Sequence, residues 1–267
     1  MGAADIVPGV SGSTMAFVLG IYKRFIDSIR SFDKTWLMAC IRFDYRVAVT
    51  RPDFTFIAPL VAGIFLAIFF FTHIVSIPHI LEAHPEHIYG LFFGLITGSI
   101  ILLITDLGSI RTKDLFVIVV GISVGLCITT AVPATTPDAW WFMLLSGSLC
   151  TCAMLIPGIS GAFVLLLLGK YAQILNAIGN LDFTILIPFA LGVACGLFSF
   201  SRLVSWLLFC HRRTTLLTIC GVLMASLWMI WPFQLRPTQG SGAKSETIES
   251  KFILPDFSVD TLSLIHI

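Results

Sequence analysis

The chain of 267 residues is 57% hydrophobic and 12% charged, with a formal net charge of +1 and a mean hydropathy of +0.96. Several apolar runs are long enough to cross ~30 Å of hydrocarbon, so the composition excludes a soluble domain and reads as an all-α polytopic membrane protein. Its spans must be helices, because in lipid every backbone N–H and C=O has to find a partner.

Residues 1–21 carry Ile6-Val7-Pro8-Gly9-Val10-Ser11-Gly12-Ser13-Thr14. Proline removes a donor and glycine tolerates non-helical angles, so Pro8, Gly9 and Gly12 predict the end of one helix and the start of another. Broken backbone at membrane depth is tolerated only where protein or a water-filled cavity surrounds it. A helix starting near Ser11 would aim its free N–H groups and positive end into that cavity. With the hydroxyls of Ser11, Ser13 and Thr14 beside it, this arrangement suits an anion such as phosphate. The competing reading is a plain kink, with the serines bonded back to carbonyls. Asp5 precedes the break and is a candidate carrier of a coupling proton or cation; a helix cap or interfacial charge is the alternative.

Residues 22–52 are different material, with seven Lys or Arg against three Asp, interleaved with Phe25, Ile26, Trp36 and Leu37. They predict an amphipathic helix lying at an interface, on the cytoplasmic side by its excess of cations. Such a stretch can suggest nucleic-acid binding, but beside membrane spans no nucleic-acid partner is expected.

Spans are predicted at about 55–77, 88–105 and 114–132, then, after a second break within 139–169, at about 184–207 and 215–232. The loops 78–87 and 133–138 carry no Lys or Arg, whereas Arg111 and Lys113, and later Arg212 and Arg213, mark loops expected inside. This alternation holds only if residues 139–169 dip into the membrane and return.

The second break, Leu155-Ile156-Pro157-Gly158-Ile159-Ser160-Gly161, echoes the first. A shift of 149 residues lays Ala4–Ile29 over Ala153–Ile178, with nine of 26 positions identical. Pro59 and Gly63 recur as Pro188 and Gly192. The fold expected is an inverted repeat, each half a re-entrant Pro-Gly-x-Ser-Gly hairpin plus transmembrane helices, with halves 1–138 and 139–267. Gly158, Ser160 and Gly161 join Gly9, Ser11, Gly12, Ser13 and Thr14 as candidate substrate contacts. The second half counts one span fewer, residues 233–267 are polar, and no apolar arm precedes the first break, so the chain reads as truncated at both ends.

Arg202, near the cytoplasmic end of its span, is placed either to pair with phosphate bidentately or to snorkel to the interface. Lys170 reads as an interfacial anchor. Residues 79–87 hold His79, Glu82, His84, Glu86 and His87, but without tight ligand spacing and with Pro85 among them, so no metal is expected. The seven cysteines fall mostly in apolar runs and read as small buried side chains. No nucleotide-binding or hydrolase motif is present, so neither an enzyme nor a cofactor is expected.

Gly2-Ala3-Ala4-Asp5-Ile6-Val7-Pro8-Gly9-Val10-Ser11-Gly12, running into Leu19-Gly20-Ile21-Tyr22, resembles the opening motif of the bacterial family catalogued as domain of unknown function 368. Pro157-Gly158-Ile159-Ser160-Gly161 through Gly169-Lys170-Tyr171 resembles its second motif. The likeness spans essentially the whole chain; it departs at Ser13, where the family motif has Gly. The family includes the PopT-type polyprenyl-phosphate transporters, so the resemblance implies a multi-pass protein of the bacterial cytoplasmic membrane. It implies translocation of undecaprenyl phosphate by alternating access, with the lipid carrier, membrane lipids and a coupling proton or cation as partners. The rivals are a transporter of a small soluble anion and a non-transporting scaffold whose glycines only pack helices.

Overall fold

A computed structural model describes residues 1–7, 9–75, 77, 80, 84–131, 136–232, 234–235 and 251–252. Pro8 and parts of the predicted loops 78–87 and 133–138 lie outside the described residues, as does most of 233–267. The described residues are almost wholly helical; one two-residue antiparallel pairing joins Gln234–Leu235 to Lys251–Phe252.

Each break is followed by two short helices of matching length. Around the first stand α1 (Gly2–Asp5), α2 (Gly12–Val18) and α3 (Tyr22–Arg30). The predicted amphipathic helix over 22–52 is in fact three, α3, α4 (Lys34–Ile41) and α5 (Tyr45–Thr50). The carboxylates of Asp33 and Asp44 divide them, each accepting the N–H three residues on to begin a new helix. There follow α6 (Phe54–Phe69, prolonged by a π turn to Ile74), α7 (Pro85–Asp106) and α8 (Thr112–Thr129). In the second half come α9 (Trp140–Leu155), α10 (Gly161–Leu167), α11 (Tyr171–Gly179), α12 (Phe183–Cys210) and α13 (Arg212–Met229).

Four of these helices, α6 with its π turn, α7, α8 and α12, are long and apolar enough to cross a membrane, and the bent pair α10–α11, turning through 110°, makes up to five. The chain is a multi-pass membrane protein. α13, predicted as a span at about 215–232, is the most enclosed of the long helices, with Leu217, Cys220, Val222, Leu223 and Ala225 all buried. Small residues let the backbones touch. A Cβ on Gly121 of α8 would lie 2.5 Å from Thr218 O of α13, and one on Gly221 would lie 2.4 Å from Ile118 O. α9 and α12 meet the same way, with Gly192 set against Leu144 O and Gly147 against Phe189 O. Where no hydrophobic force drives helices together, close backbone approach supplies the packing attraction.

Polar contacts gather the basic segments at one end. Arg30 and Asp27 of α3 bond Ser205 near the end of α12, and Arg24 bonds Asp53 at the start of α6. Arg213 at the start of α13 bonds Asp114, Leu107 O and Ser109 O, tying the 107–114 loop to the 211–213 turn. α6 therefore starts, and α12 finishes, at the basic end. Lys170, read as an interfacial anchor, is buried and ion-paired to Asp138, and Thr136 bonds Leu168 O, so residues 136–138 close over the end of α10.

Candidate functional site

The repeat is written in the backbone. Gly9 and Gly158 both have left-handed φ (86° and 93°), as do Gly20 and Gly169 (70° and 63°). Glycine adopts that region without penalty, so these positions turn the chain at each break and again at the end of each short helix. α2 and α10 have seven residues each, and α3 and α11 nine.

The two breaks are packed against one another, although about 145 residues of chain separate them. Thr14 Oγ1 accepts the Gly158 N–H at 2.8 Å. The Ser13 hydroxyl donates to Ile156 O at 3.3 Å, and Ser11 and Ser13 share a hydrogen bond of 2.8 Å. The Tyr22 hydroxyl donates to Leu155 O at 2.9 Å. Ser11, Ser13, Thr14 and Tyr22 are all buried. An unpaired buried backbone group costs about 1–3 kcal/mol, so side chains of the first break stabilise the interrupted backbone of the second. Both breaks also rest on α13. A Cβ on Gly158 would sit 3.2 Å from Val222 Cγ1, and one on Gly9 would sit 3.4 Å from Met229 Cγ.

The start of α2 is already partly occupied. The Gly12 N–H donates to Asp5 Oδ1 at 2.7 Å, so this carboxylate takes a donor that an incoming anion would use. At the second break Met154 holds the position equivalent to Asp5, and Gly161 packs against Cys150 and Met154. The Ser160 hydroxyl, at the N-cap of α10, makes no side-chain cap bond. Arg202 is exposed on α12, its guanidinium 5.6 Å from the centroid of the Phe198 ring; it stands apart from the bonds that join the breaks. His84, Glu86 and His87 at the start of α7 bring their donor atoms within 4.8 Å of one another; His79 and Glu82 fall outside the described residues.

Of the two readings of Asp5, the bond from the Gly12 N–H is that of a helix cap. Sequence reasoning missed the contribution of Tyr22, whose hydroxyl bonds across the repeat. It also missed that α6 and α12 open identically. Asp53-Phe54-Thr55 and Asp182-Phe183-Thr184 each have the threonine hydroxyl on the aspartate at 2.6 Å, and Pro59 and Pro188 are each the sixth residue of their helix. The repeated Asp-Phe-Thr was a readable signal.

Residues 1–248 match the model of a family described as undecaprenyl phosphate translocase-like. The chain is 36% identical over 234 residues to the polyprenyl-phosphate transporter of Vibrio cholerae serotype O1, covering 88% of this chain and 75% of that one. It is 33% identical over 254 residues to the polyprenyl-phosphate transporter of Staphylococcus aureus strain NCTC 8325, covering 87% and 83%. No solved structure matches. These names describe transporters rather than enzymes. By the extent of the match, the chain belongs to the undecaprenyl phosphate translocase-like family.

Proposed function

We propose that this protein translocates a polyprenyl phosphate, of the undecaprenyl type, across the bacterial cytoplasmic membrane, and that the phosphate is held where the two breaks meet. The observation that carries the reading is the pairing of Thr14 Oγ1 with the Gly158 N–H, because it joins two interrupted, buried segments of a membrane protein at one place. Polar broken backbone is retained in hydrocarbon only where it lines a site or is enclosed by protein. The headgroup is assigned to the hydroxyls and N–H groups of Gly9, Ser11, Gly12, Ser13, Thr14, Gly158, Ser160 and Gly161, while the long tail stays in lipid. The antiparallel run of α6 and α12, which open on the same Asp-Phe-Thr, supports an inverted repeat. In such a repeat, rocking one half on the other offers the site to each leaflet in turn.

Asp5 supplies coupling in this scheme. Its carboxylate occupies the Gly12 N–H, and a phosphate oxygen takes that donor as the carboxylate is protonated and turns away. Arg202 compensates phosphate charge as the headgroup travels along α12.

The test is flipping of a fluorescent polyprenyl phosphate in proteoliposomes. Ser11→Leu and Ser160→Leu are expected to abolish flipping while the protein still inserts. Normal flipping by both variants would remove the breaks from the transport path. Asp5→Asn is expected to flip lipid at a rate that no longer responds to a pH gradient.

A further inference from the structure

A second polar feature lies at the basic end, outside the breaks. A cleft of about 520 Å³ opens between α3, the α3–α4 turn and the last turns of α12, lined by Lys23, Asp27, Arg30, Ser205 and Phe209, with the Asp33–Arg51 pair at its side. Its acids are committed. Asp33 is gripped by Arg51, with Nε 3.0 Å from Oδ1, and Asp27 accepts the Ser205 hydroxyl at 2.8 Å. Of its cations, Arg51 is taken up by Asp33, whereas Arg30 and Lys23 are held more loosely. Arg30 uses one Nη1–H on Ser205 Oγ at 3.0 Å and has no carboxylate partner among the described residues, and Lys23 is 3.7 Å from Asp27 on a side chain 70% exposed. Ser205 thus orients Arg30 by accepting from it while donating to Asp27. The opposite wall is Phe209, 85% exposed, a bare ring beside a charged bowl.

We propose that this cleft binds the phosphate-monoester headgroup of a membrane lipid in the leaflet at the basic end, with its apolar chain against Phe209. Arg30, without a carboxylate partner among the described residues, and Lys23, held only by a long exposed pair with Asp27, match a dianionic monoester, and the guanidinium is pre-aimed by Ser205. The aromatic wall sits where an amphiphile changes from polar to apolar. α3 also links the cleft to the breaks. Tyr22 at its start holds Leu155 O, and Arg30 at its end lies roughly 12 Å further along the helix axis at 1.5 Å per residue. The cleft is then a waiting or release station for the headgroup. That role rests on the transport reading above, whereas headgroup binding itself does not.

The test is equilibrium binding of farnesyl monophosphate to the full chain in nanodiscs of neutral lipid, with farnesol and inorganic phosphate as comparisons. It is made in the Ser160→Leu background, so that binding at the breaks is removed. Farnesyl monophosphate is expected to bind and farnesol not. Arg30→Gln is expected to weaken binding about tenfold, the usual size of one lost charge-assisted hydrogen bond. Lys23→Gln, at an exposed side chain that does not hold the fold, is expected to weaken it several-fold. Unchanged binding in both charge variants overturns the proposal, as does inorganic phosphate binding as tightly as the lipid, which would make the cleft a free-anion site. Loss of all binding through Ser160→Leu alone would locate the headgroup only at the breaks, overturning this inference while leaving the transport reading intact.

Discussion

At the first break the side chains of Asp5, Ser13, Thr14 and Tyr22 are all engaged in hydrogen bonds. At the second, the equivalent residues are Met154, Ala162, Phe163 and Tyr171, and Tyr171 is exposed. The backbones nonetheless follow the same course, with left-handed glycines at matching positions. The glycines of the motif therefore set the shape, and the hydroxyls differ in their use. Side chains of the first break brace the second, whereas the Ser160 hydroxyl of the second makes no cap bond. A similar contrast separates α6 from α12. Gly192 is pressed against Leu144 O, whereas its counterpart Gly63 meets nothing within 4 Å among the described residues.

The strongest way to break these comparisons is at the glycines. Gly192→Ala puts a methyl where Leu144 O already lies within 1.9 Å, so α9 and α12 must separate. A cost of about 3 kcal/mol or more is expected as lower thermal stability in detergent, while Gly63→Ala should be neutral or gain up to about 1 kcal/mol. Equal effects would mean that the two helices are packed alike.

The braces come next. Thr14→Val keeps the shape but strands the Gly158 N–H, and about 1–3 kcal/mol of stability should be lost. Ser160→Ala, which removes no side-chain cap bond, should shift stability by less than about 0.5 kcal/mol yet slow flipping. A stability loss as large for Ser160→Ala as for Thr14→Val would show the labour to be shared. Tyr22→Phe should cost about 1 kcal/mol through the bond to Leu155 O, and Tyr171→Phe almost nothing.

The smallest effect concerns the strap formed by α4 and α5. The Arg51 side chain holds the carboxyl of Asp33 down to about 2, against about 3.9 in an unfolded chain. A depressed carboxyl stabilises the folded strap fully above the unfolded value and loses that contribution as pH falls toward the folded one. The strap should be indifferent to pH from neutral to about 4 and loosen between about 4 and 2. A carboxylate titration by NMR should find Asp33 near 2, and Arg51→Gln should return it toward the ordinary value.

Much of this was legible in the sequence because it is local. Proline and glycine at fixed spacing foretold both breaks, and the 149-residue repeat foretold that they would match, but residues 170–182, which read as an outer loop, hold the helix α11. Helix ends were less visible, since Asp33 and Asp44 act through single hydrogen bonds that divide one hydrophobic pattern into three helices. The contacts that matter most at the site join residues 133 to 144 apart, Tyr22 to Leu155 and Thr14 to Gly158. No periodicity within either segment encodes a partner at that distance. The burial of α13 was hidden for a similar reason: Gly221, Ala225 and Ser226 mark a packed face only once Gly121 and Gly125 are set against it.

The central claim is that lipid phosphate is held where the two breaks meet and is reached from opposite sides. It is tested most directly by single cysteines at Ser13 and Ala162, in a chain whose seven native cysteines have been replaced. The account predicts that a membrane-impermeant thiol reagent reaches position 13 from the cytoplasmic side and position 162 from the other, and that polyprenyl phosphate protects both. Labelling that is blind to side, or unaffected by the lipid at both positions, would contradict it and leave the breaks as packing kinks.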